Sequence, residues 1–387
     1  MQTKERDQTY IANTYARQEV IFASGKGAEL FDESGKRYID LGGGIAVNTF
    51  GAADEAWAAA VCEQVNKLQH VSNYYYTQPQ ALLAEALCKR TGMEKVFFGN
   101  SGAEANECMI KAARKYASDR YGLARPNIVT LVNSFHGRTI TTLSATGQES
   151  FHKDFGPFTP GFLHVPANDF PALEEILLAN DCAAVMLELV QGEGGVIALD
   201  AEYVKKVAAL VQSRDMLLLI DEVQTGNGRT GTLYAYQQYG IVPDIVSTAK
   251  GLASGLPFGA TLFSSRTADV LQPGDHGSTF GGNPVCAAAA LHTLNRLDDT
   301  LLAGVRERAA YITSELKGAP GVVSISGLGL MLGIEITGNA KEVLKHCLGS
   351  GVLVLIAKDK VRLLPPLNIP MSLLKESIAL LKEELAK

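Results

Sequence analysis

The sequence predicts an α/β fold in which a mostly parallel sheet is covered by helices, with a smaller α+β domain beside it. From residue 95 onward, short apolar segments alternate with amphipathic helical patterns. This alternation is typical of parallel strands connected by helices. About the last hundred residues differ, because they contain apolar runs typical of antiparallel strands. In parallel sheets ligands bind at the carboxyl ends of the strands, so we expect the functional site there.

The predicted elements follow in chain order. GAELFDESGKRYIDL reads as short strands joined by a turn at Ser34–Gly35, and AWAAAVCEQVNKL reads as a helix. KVFFGN, NIVTLV, AAVMLEL, MLLLIDE and DIVSTAK are strand candidates, and AEANECMIKAARKYASDRYG is a helix. GVVSISGLGLMLGIEI and VLVLIAKDKVRLLPP predict antiparallel strands, before a terminal helix over SLLKESIALLKEELAK. We expect a large domain at 49–281 and a small domain at 282–387, with residues 1–48 packing on the small one.

Composition excludes several classes of function. Hydrophobic residues make up 47% and charged residues 20% of the chain, the balance of a well-packed globular protein. The net charge of −6 gives no reason to expect nucleic acid or an anionic membrane as partner. The N-terminal segment has no apolar core for a signal peptide, and the six cysteines lack metal-type spacing. We therefore expect a cytoplasmic protein with reduced thiols and no metal site.

The segment LLLIDEVQTGNGRTG, residues 217–231, ends an apolar strand in two acids, Asp221 and Glu222. Such a strand is typical of an ATPase magnesium site, but that site requires a GxxxxGK[ST] loop, and the sequence has none. Gly226, Gly228 and Gly231 spell GxGxxG, but they follow the acids and lack the βαβ context of a dinucleotide site. The third interpretation is an acid that binds an organic cofactor.

Lys250 supports the third interpretation. It ends the apolar segment DIVSTAK before a glycine-rich turn. Partial desolvation lowers the pKa of a lysine and makes it nucleophilic toward a carbonyl, although an ordinary strand-end lysine is the alternative when Lys250 is taken alone. An acid that keeps a pyridine nitrogen protonated and a lysine that forms an imine are the groups that pyridoxal phosphate requires from a protein. Asp221 and Lys250 are therefore the candidate catalytic residues.

A candidate phosphate site lies between the strand KVFFGN and the helix that follows it. The backbone N–H groups of Gly102 and Ala103, at a helix N-terminus, and the hydroxyl of Ser101 suit a phosphate dianion. The alternative is that Ser101 is a plain helix cap.

Nine motifs then identify a resemblance to the class III (ω-) aminotransferases, most closely to their acetylornithine branch. The resemblance covers nearly the whole chain, with the motifs in the family's order. They are GKRYIDLGGGIAVN, HVSNYYYTQPQ, FGNSGAEANECMIKAARKY, SFHGRT, QGEGGV, LLLIDEVQTGNGRTG, STAKGLASGLPFGA, HGSTFGGNP and RLLPPL. It implies fold type I of the pyridoxal-phosphate-dependent transferases, with a large domain built on a mostly parallel seven-stranded sheet flanked by helices.

The resemblance also implies roles for particular residues in binding pyridoxal 5'-phosphate. Lys250 would bind the cofactor covalently and move a proton to and from the substrate carbon, and Asp221 would pair with the ring nitrogen. Val223 and Phe135 would pack on the two ring faces, and Gln224 would bind the ring oxygen. Ser101, Gly102 and Ala103 would hold the phosphate. Thr279 would reach the phosphate of a partner subunit, which implies a homodimer with its active site at the subunit interface.

Substrate residues are implied in the same way. Arg362 would bind the carboxylate beside the reacting carbon of 2-oxoglutarate, and Glu193 would pair with it until that substrate arrives. Arg138, with Tyr15, would bind the distant α-carboxylate of the amino donor; the alternative for Arg138 is a surface salt bridge. The resemblance thus implies transfer of the δ-amino group of N²-acetylornithine to 2-oxoglutarate, a step of arginine biosynthesis.

Three departures from the family pattern and several rival functions remain at this stage. Residues 51–55 read GAADE where the family has histidines, and Leu189 follows Glu188 where it has proline. Gly44 stands where ornithine aminotransferases tend to have tyrosine, which leaves room for an acylated donor. Rival donors are succinylornithine, ornithine, 4-aminobutyrate and acetyl-lysine-type amines. A glutamate-semialdehyde aminomutase, a catalytically silent relative and a P-loop ATPase are further alternatives.

Overall fold

A computed structural model describes the chain from residue 2 to residue 387. Seven of its strands form a central sheet, and the other strands form smaller sheets. The strands are β1 (Phe22–Lys26), β2 (Glu29–Asp32), β3 (Arg37–Asp40), β4 (Lys95–Gly99), β5 (Asn127–Leu131), β6 (Phe162–Val165), β7 (Cys182–Leu187), β8 (Val190–Gln191), β9 (Ile197–Ala198), β10 (Leu217–Asp221), β11 (Ile245–Thr248), β12 (Gly259–Phe263), β13 (Val322–Leu328), β14 (Met331–Ile336), β15 (Val352–Leu353), β16 (Leu355–Ala357) and β17 (Lys360–Leu363).

The helices are α1 (Thr3–Tyr10), α2 (Gly43–Ala46), α3 (Glu55–Lys67), α4 (Gln78–Thr91), α5 (Gly102–Tyr121), α6 (Ile140–Ala145), α7 (Phe170–Ala179), α8 (Ala201–Ser213), α9 (Tyr236–Tyr239), α10 (Pro284–Arg296), α11 (Asp299–Leu316), α12 (Ala340–Gly349) and α13 (Met371–Leu385). Short 3₁₀ turns cover Gly122–Ala124, Glu149–Phe151 and Lys250–Leu252. In residues 2–387 no helix is long and apolar enough to cross a membrane.

The strand order of the central sheet is β4-β12-β11-β10-β7-β5-β6. The neighbours from β11 to β6 are parallel, and β12 is antiparallel to both β4 and β11. The predicted α/β architecture with a mostly parallel sheet is therefore confirmed. β6 and β12 were not predicted from the sequence pattern.

Alternate residues of the central strands pack against opposite layers. Leu217 and Leu219 of β10 join one core cluster, to which α5 contributes Met109 and Tyr116. Leu218 and Ile220 join the other cluster, together with Val204, Val207 and Val211 of α8. All five residues of β10 are buried, which explains why the strand reads as a continuous apolar run. Each buried leucine or isoleucine stabilises the fold by about 1.5–3 kcal/mol.

The N- and C-terminal parts of the chain share a smaller sheet. Its order is β1-β2-β3-β15, and a further four-stranded sheet has the order β13-β14-β17-β16. The hairpin joined at Ser34–Gly35 forms as predicted, between β2 and β3. β15 pairs with β3 in parallel, so the prediction of uniformly antiparallel strands near the C-terminus was wrong at β15. α10, which begins the predicted small domain, packs on α3 and α4 of the predicted large domain. The domain limits at 48/49 and 281/282 therefore stay a prediction.

The carboxyl ends of the parallel strands meet at one edge of the central sheet. β4 ends at Gly99, β10 at Asp221 and β11 at Thr248, in neighbouring registers. β12 enters the same edge from the opposite direction, and its first residue, Gly259, pairs with Gly99. A Cβ atom at Gly259 would lie 2.3 Å from the carbonyl oxygen of Ser101. The missing side chain at Gly259 therefore lets the turn after β4 pack directly on β12.

We expect Gly259→Ala to lower the free energy of unfolding by about 1–3 kcal/mol, because its methyl group would overlap backbone atoms of Ser101 that cannot rotate away. Gly338→Ala is the matched control, since a Cβ there meets nothing within 4 Å. Urea titrations followed by circular dichroism measure both variants. Equal stability of the two variants would contradict the close approach of β12 to the turn.

Glu222, directly after β10, gives a prediction on pH. Its carboxylate accepts hydrogen bonds from the Thr225 hydroxyl and, at 2.8 Å, from the Tyr236 backbone N–H. Burial nevertheless raises the pKa of Glu222 from 4.5 to about 7. Because the folded-state pKa is the higher one, the protonated acid contributes stability below pH 4.5, and this contribution is lost as the pH rises through 7. The loss amounts to at most about 3 kcal/mol.

Glu222→Gln stays neutral and therefore lacks this loss. The difference in unfolding free energy, wild type minus variant, should decrease between about pH 4.5 and pH 8. Urea titrations of both proteins across this range measure the difference. A difference that is constant with pH would show that Glu222 does not change its protonation there.

Candidate active site

A cavity of about 420 Å³ opens at the carboxyl edge of the central sheet. This volume lies in the range of about 300–1,000 Å³ that is usual for small-molecule sites. Nine of the residues predicted for the site line it: Ser101, Gly102, Ala103, Phe135, Arg138, Asp221, Val223, Gln224 and Lys250. Residues that are distant in the sequence thus converge on one pocket at the predicted edge.

Asp221 is the best-anchored group of the cavity. Its side chain is 4% exposed. Oδ2 accepts hydrogen bonds from Asn106 Nδ2 at 2.7 Å and from His136 Nδ1 at 2.8 Å, and Oδ1 accepts the backbone N–H of Val223 at 3.0 Å. Since a carboxylate only accepts, the imidazole of His136 carries its proton on Nδ1. These three donors offset the cost of burying a carboxylate and fix its orientation.

Asn106 and His136 were not predicted as site residues from the sequence. Both line the cavity, and both are buried. His136 Nε2 has no hydrogen-bond partner among residues 2–387. Their positions in the sequence could have indicated them. Asn106 lies one helical turn after the predicted phosphate site at residues 101–103, and His136 directly follows Phe135.

Lys250 begins the 3₁₀ turn that follows β11. Its φ of +46° lies in the left-handed region, which disfavours residues with a side chain. Hydrogen bonds hold the backbone on both sides of it: Asn227 Nδ2 donates to the carbonyl of Ala249 at 3.0 Å, and the Thr49 hydroxyl donates to that of Gly251 at 2.8 Å. Asn227 belongs to the glycine-rich turn after Asp221, so that turn supports the lysine.

The environment of Lys250 lowers the pKa of its amine below 10.5. Desolvation is the main cause, and the nearby charge of Arg362 acts in the same direction. The carboxylates of Glu193 and Asp221 oppose the shift. A larger fraction of this amine is therefore neutral at a given pH than of an ordinary lysine.

The turn after β4 has the form of an anion site, and it also caps a helix. Ser101 is the N-cap of α5, and its hydroxyl accepts the backbone N–H of Glu104 at 3.1 Å. The hydroxyl proton remains free to donate. A Cβ atom at Gly102 would lie 2.6 Å from Val223 Cγ1, so glycine allows the valine to pack against the turn. The helix-cap alternative and the anion-site prediction for Ser101 are thus compatible.

The buried Arg362 and the partly buried Glu193 form an ion pair beside this cavity. Arg362 Nη1 lies 2.6 Å from Glu193 Oε1, and the arginine is 3% exposed. Gln224 contacts both, since its Nε2 donates to Glu193 at 3.5 Å and its Oε1 accepts from Arg362 at 3.4 Å. Burial opposes ionisation of Glu193, but Arg362 outweighs it, and the pKa of this acid lies below its usual 4.5. The lining residue Gln224 therefore connects the ion pair to the cavity.

Glu188 links two loops of the site. Its Oε1 accepts the backbone N–H of Phe135 at 2.7 Å, and its Oε2 accepts that of Gly192 at 3.4 Å. Desolvation raises the pKa of Glu188 to about 7, against the opposing effect of His136. Leu189, which stands where the family has proline, is buried in the core. The departure from the family pattern thus leaves the acid within the site.

Arg138 lies at the mouth of the cavity and is exposed. It forms no hydrogen bond or ion pair with another residue of 2–387, so the single chain gives no support to the surface-salt-bridge alternative. The guanidinium carbon lies 4.2 Å from the centroid of the Phe151 ring and 5.5 Å from that of Phe135. Its N–H donors are therefore free for an anion.

Besides Arg362 and Glu193, which lie beside the cavity, two predicted site residues do not line it in the single chain. Tyr15 is 70% exposed and contacts Arg17 through its ring. Thr279 is exposed and lies outside the lining, so its predicted contact with a partner subunit stays a prediction. In the altered segment at residues 51–55, Asp54 caps α3 and pairs with Arg296 at 2.6 Å. Asp54 of this segment therefore stabilises the start of α3.

No group of three or more His, Cys, Asp or Glu side chains in residues 2–387 could hold a metal ion. The acids of the ATPase interpretation are also engaged elsewhere. Asp221 is bound by Asn106 and His136, while Glu222 is bound by Thr225 and the backbone of Tyr236. The strand LLLID therefore ends in an acid, Asp221, that faces the cavity, and the acid that follows it, Glu222, organises the next turn.

The chain is similar to known aminotransferases over nearly its whole length. The family model for aminotransferase class-III matches residues 10–385. An acetylornithine aminotransferase of Haemophilus ducreyi is 50% identical to the chain, covering 100% of this chain and 99% of that protein. One from Caldanaerobacter subterraneus subsp. tengcongensis is 43% identical, covering 98% of each.

Solved structures show the same similarity. The N-acetylornithine aminotransferase from Stenotrophomonas maltophilia K279a is 37% identical, with a TM-score of 0.83 over 99% of this chain and 98% of that one. The ornithine aminotransferase from Toxoplasma gondii has a TM-score of 0.94 at 32% identity, over 99% and 93% of the two chains. These similarities confirm the predicted fold type I. Since the matched region includes nearly every residue, the chain belongs to the class-III aminotransferase family.

Proposed function

We propose that this aminotransferase uses pyridoxal 5'-phosphate to transfer the δ-amino group of N²-acetylornithine to 2-oxoglutarate. The products are N-acetylglutamate 5-semialdehyde and glutamate. The observation that carries the proposal is the convergence of Lys250 and Asp221 on one cavity, with the Arg362–Glu193 pair joined to it through Gln224. The similarity to full-length acetylornithine aminotransferases supports the choice of donor.

The residues of the cavity fit the cofactor. Asp221, held as an acceptor by three donors, suits a protonated pyridine nitrogen, and the free hydroxyl proton of Ser101 with the N-terminus of α5 suits a phosphate. Val223 and Phe135 supply apolar surface for the ring faces. When bound, pyridoxal phosphate supplies an electron sink for negative charge on the reacting carbon.

Lys250 is the proposed attachment point and general acid–base of the site. Its desolvated amine, with a pKa below that of an ordinary lysine, suits both roles. The clamped backbone at Ala249 and Gly251 holds the side chain in one orientation toward the cavity. We assign to Lys250 Nζ the transfer of the proton at the reacting carbon of the substrate.

The Arg362–Glu193 pair allows one site to accept two different substrates. The reacting carbon of N²-acetylornithine carries no carboxylate, whereas that of 2-oxoglutarate does. With Glu193 on it, Arg362 presents no free charge to the first substrate; without Glu193, it can bind the second through a bidentate contact. Gln224, which contacts both partners, completes the site beside the cavity.

The donor's distant carboxylate is assigned to Arg138, together with Tyr15. Gly44, which has no side chain where ornithine aminotransferases tend to carry tyrosine, favours an acylated donor.

We further propose a cytoplasmic homodimer with Thr279 completing the site of the partner subunit. Consecutive exposed tyrosines, Tyr74 to Tyr76, lie near the same segment, since Asn73 donates to the carbonyls of Ser278 and Gly281. Aromatic surface of this kind is typical of interfaces.

Single-turnover reactions with a panel of donors test the proposal. The purified protein should bind pyridoxal phosphate and change its absorption spectrum most rapidly with N²-acetylornithine, compared with succinylornithine, ornithine and 4-aminobutyrate. The ratio of kcat/KM values measures differential transition-state binding. A protein that takes up no cofactor would contradict the function, and a faster rival donor would contradict the choice of substrate.

Lys250→Ala is the control for the chemistry. We expect it to lose turnover by at least about 10³-fold while still binding the cofactor noncovalently, because it removes the nucleophile and the proton carrier together. Cofactor uptake is measured by absorption after gel filtration. Retained turnover would remove Lys250 from its assigned role.

Glu193→Ala tests the paired arginine. Without Glu193, Arg362 is left unpaired beside the cavity, and donors with a carboxylate next to the amine, such as glutamate, should bind better. We expect the kcat/KM of glutamate to rise about tenfold or more relative to that of N²-acetylornithine, measured as separate half-reactions. Glu202→Ala, which removes an exposed acid on α8, is the control and should leave the ratio unchanged. An unchanged ratio in Glu193→Ala would contradict the proposal.

A further inference from the structure

Phe151 forms an aromatic support for Arg138 at the mouth of the cavity. Its ring lies 4.2 Å from the guanidinium carbon, closer than the ring of Phe135 at 5.5 Å. The two rings contact each other edge to face, with centroids 5.7 Å apart and planes at 77°. The guanidinium thus has two aromatic neighbours, and one of them also lines the cavity.

Aromatic support differs from an ion pair in what it leaves free. A carboxylate partner would occupy the N–H groups of the arginine, whereas a ring attracts the cation through its face. Arg138 has no such carboxylate partner among residues 2–387, so its planar fork is oriented and unoccupied. This is the state that a bidentate contact to a carboxylate requires.

The position of Phe151 is itself well defined. It ends the 3₁₀ turn Glu149–Phe151, in which its backbone N–H donates to the carbonyl of Gln148 at 3.0 Å. The Gln148 side chain donates to the carbonyl of Ser134 at 3.1 Å, next to Phe135. The following residue, His152, is bound through Nε2 to the carbonyl of Leu143 at 2.8 Å. The turn is therefore tied to the segment that carries both Phe135 and Arg138.

We propose that Phe151 is a positioning residue that sets donor specificity, by holding the Arg138 guanidinium where it binds the carboxylate far from the reacting amine. This rests on the proposed function for the role of Arg138. Phe151 does not act on the reacting atoms. Its contribution belongs to the binding of carboxylated donors, and donors without that carboxylate do not depend on it.

The test compares Phe151→Ala with wild type on two donors, N²-acetylornithine and N-acetyl-1,4-diaminobutane, which lacks the α-carboxylate. Single-turnover half-reactions give the limiting rate and the half-saturating concentration for each. For N²-acetylornithine we expect the half-saturating concentration to rise about three- to tenfold, while the limiting rate stays within about twofold of wild type. For the decarboxylated donor we expect neither value to change.

Two variants serve as controls. Phe151→Tyr retains an aromatic face and should keep the half-saturating concentration of N²-acetylornithine within about twofold of wild type. Phe155→Ala removes a nearby exposed ring that makes no contact with Arg138 and should behave as wild type. If Phe151→Ala raised the half-saturating concentration equally for both donors, Phe151 would only support the fold. If it left the half-saturating concentration of N²-acetylornithine unchanged, Phe151 would not position Arg138. Either result overturns the proposal.

The donor assignment and the Phe151 proposal fail separately. If wild type prefers another carboxylated ω-amine, the same comparison uses that amine and its decarboxylated analogue. The donor is then wrong, while dependence on the carboxylate still supports the role of Phe151. A preferred donor without a distal carboxylate would overturn both.

Discussion

The buried carboxylate of Asp221 is the constraint on which the arrangement of the site depends. A charge at the end of a buried strand is costly unless it is paired or hydrogen-bonded. Its donors come from three separate elements: Asn106 from α5, His136 from the loop after β5, and the backbone of Val223. Satisfying this one group therefore fixes α5, whose N-terminal turn is proposed to bind the phosphate, and the loop that presents Phe135. The same requirement places Val223 against Gly102.

The loop of residues 134–138 then carries several functions at once. Phe135 faces the cavity, His136 holds Asp221, and Arg138 stands at the mouth with Phe151 against it. Glu188 binds the backbone of this loop and that of Gly192, next to the acid that pairs with Arg362. A displacement of the loop would thus alter the proposed cofactor contacts and the proposed substrate contacts together. The same loop therefore holds residues that are proposed to bind the cofactor and residues that are proposed to bind the substrate.

Much of the site could be predicted because its chemistry lies in residue types at strand ends. Asp221 and Lys250 were recognisable from apolar runs that end in a charged residue, and the phosphate turn from a strand–glycine–helix pattern. Asn106 and His136 were missed because they are 115 and 85 positions from Asp221, and only the fold brings them to it. The Arg362–Glu193 pair, 169 positions apart, was predicted through the family resemblance alone. β12 was missed because its antiparallel insertion beside β4 is a property of the whole sheet.

The parallel pairing of β3 with β15 has a consequence for how the chain is made. β3 ends at Asp40, and its partner strand ends at Leu353, so the two are separated by nearly the whole chain. At a synthesis rate of about 5–20 residues per second, the edge of β3 waits on the order of 15–60 s on the ribosome for its partner. An unpaired strand edge is a template for pairing with other chains. One edge of β3, among the first strands to emerge, is thus among the last strand edges to be paired.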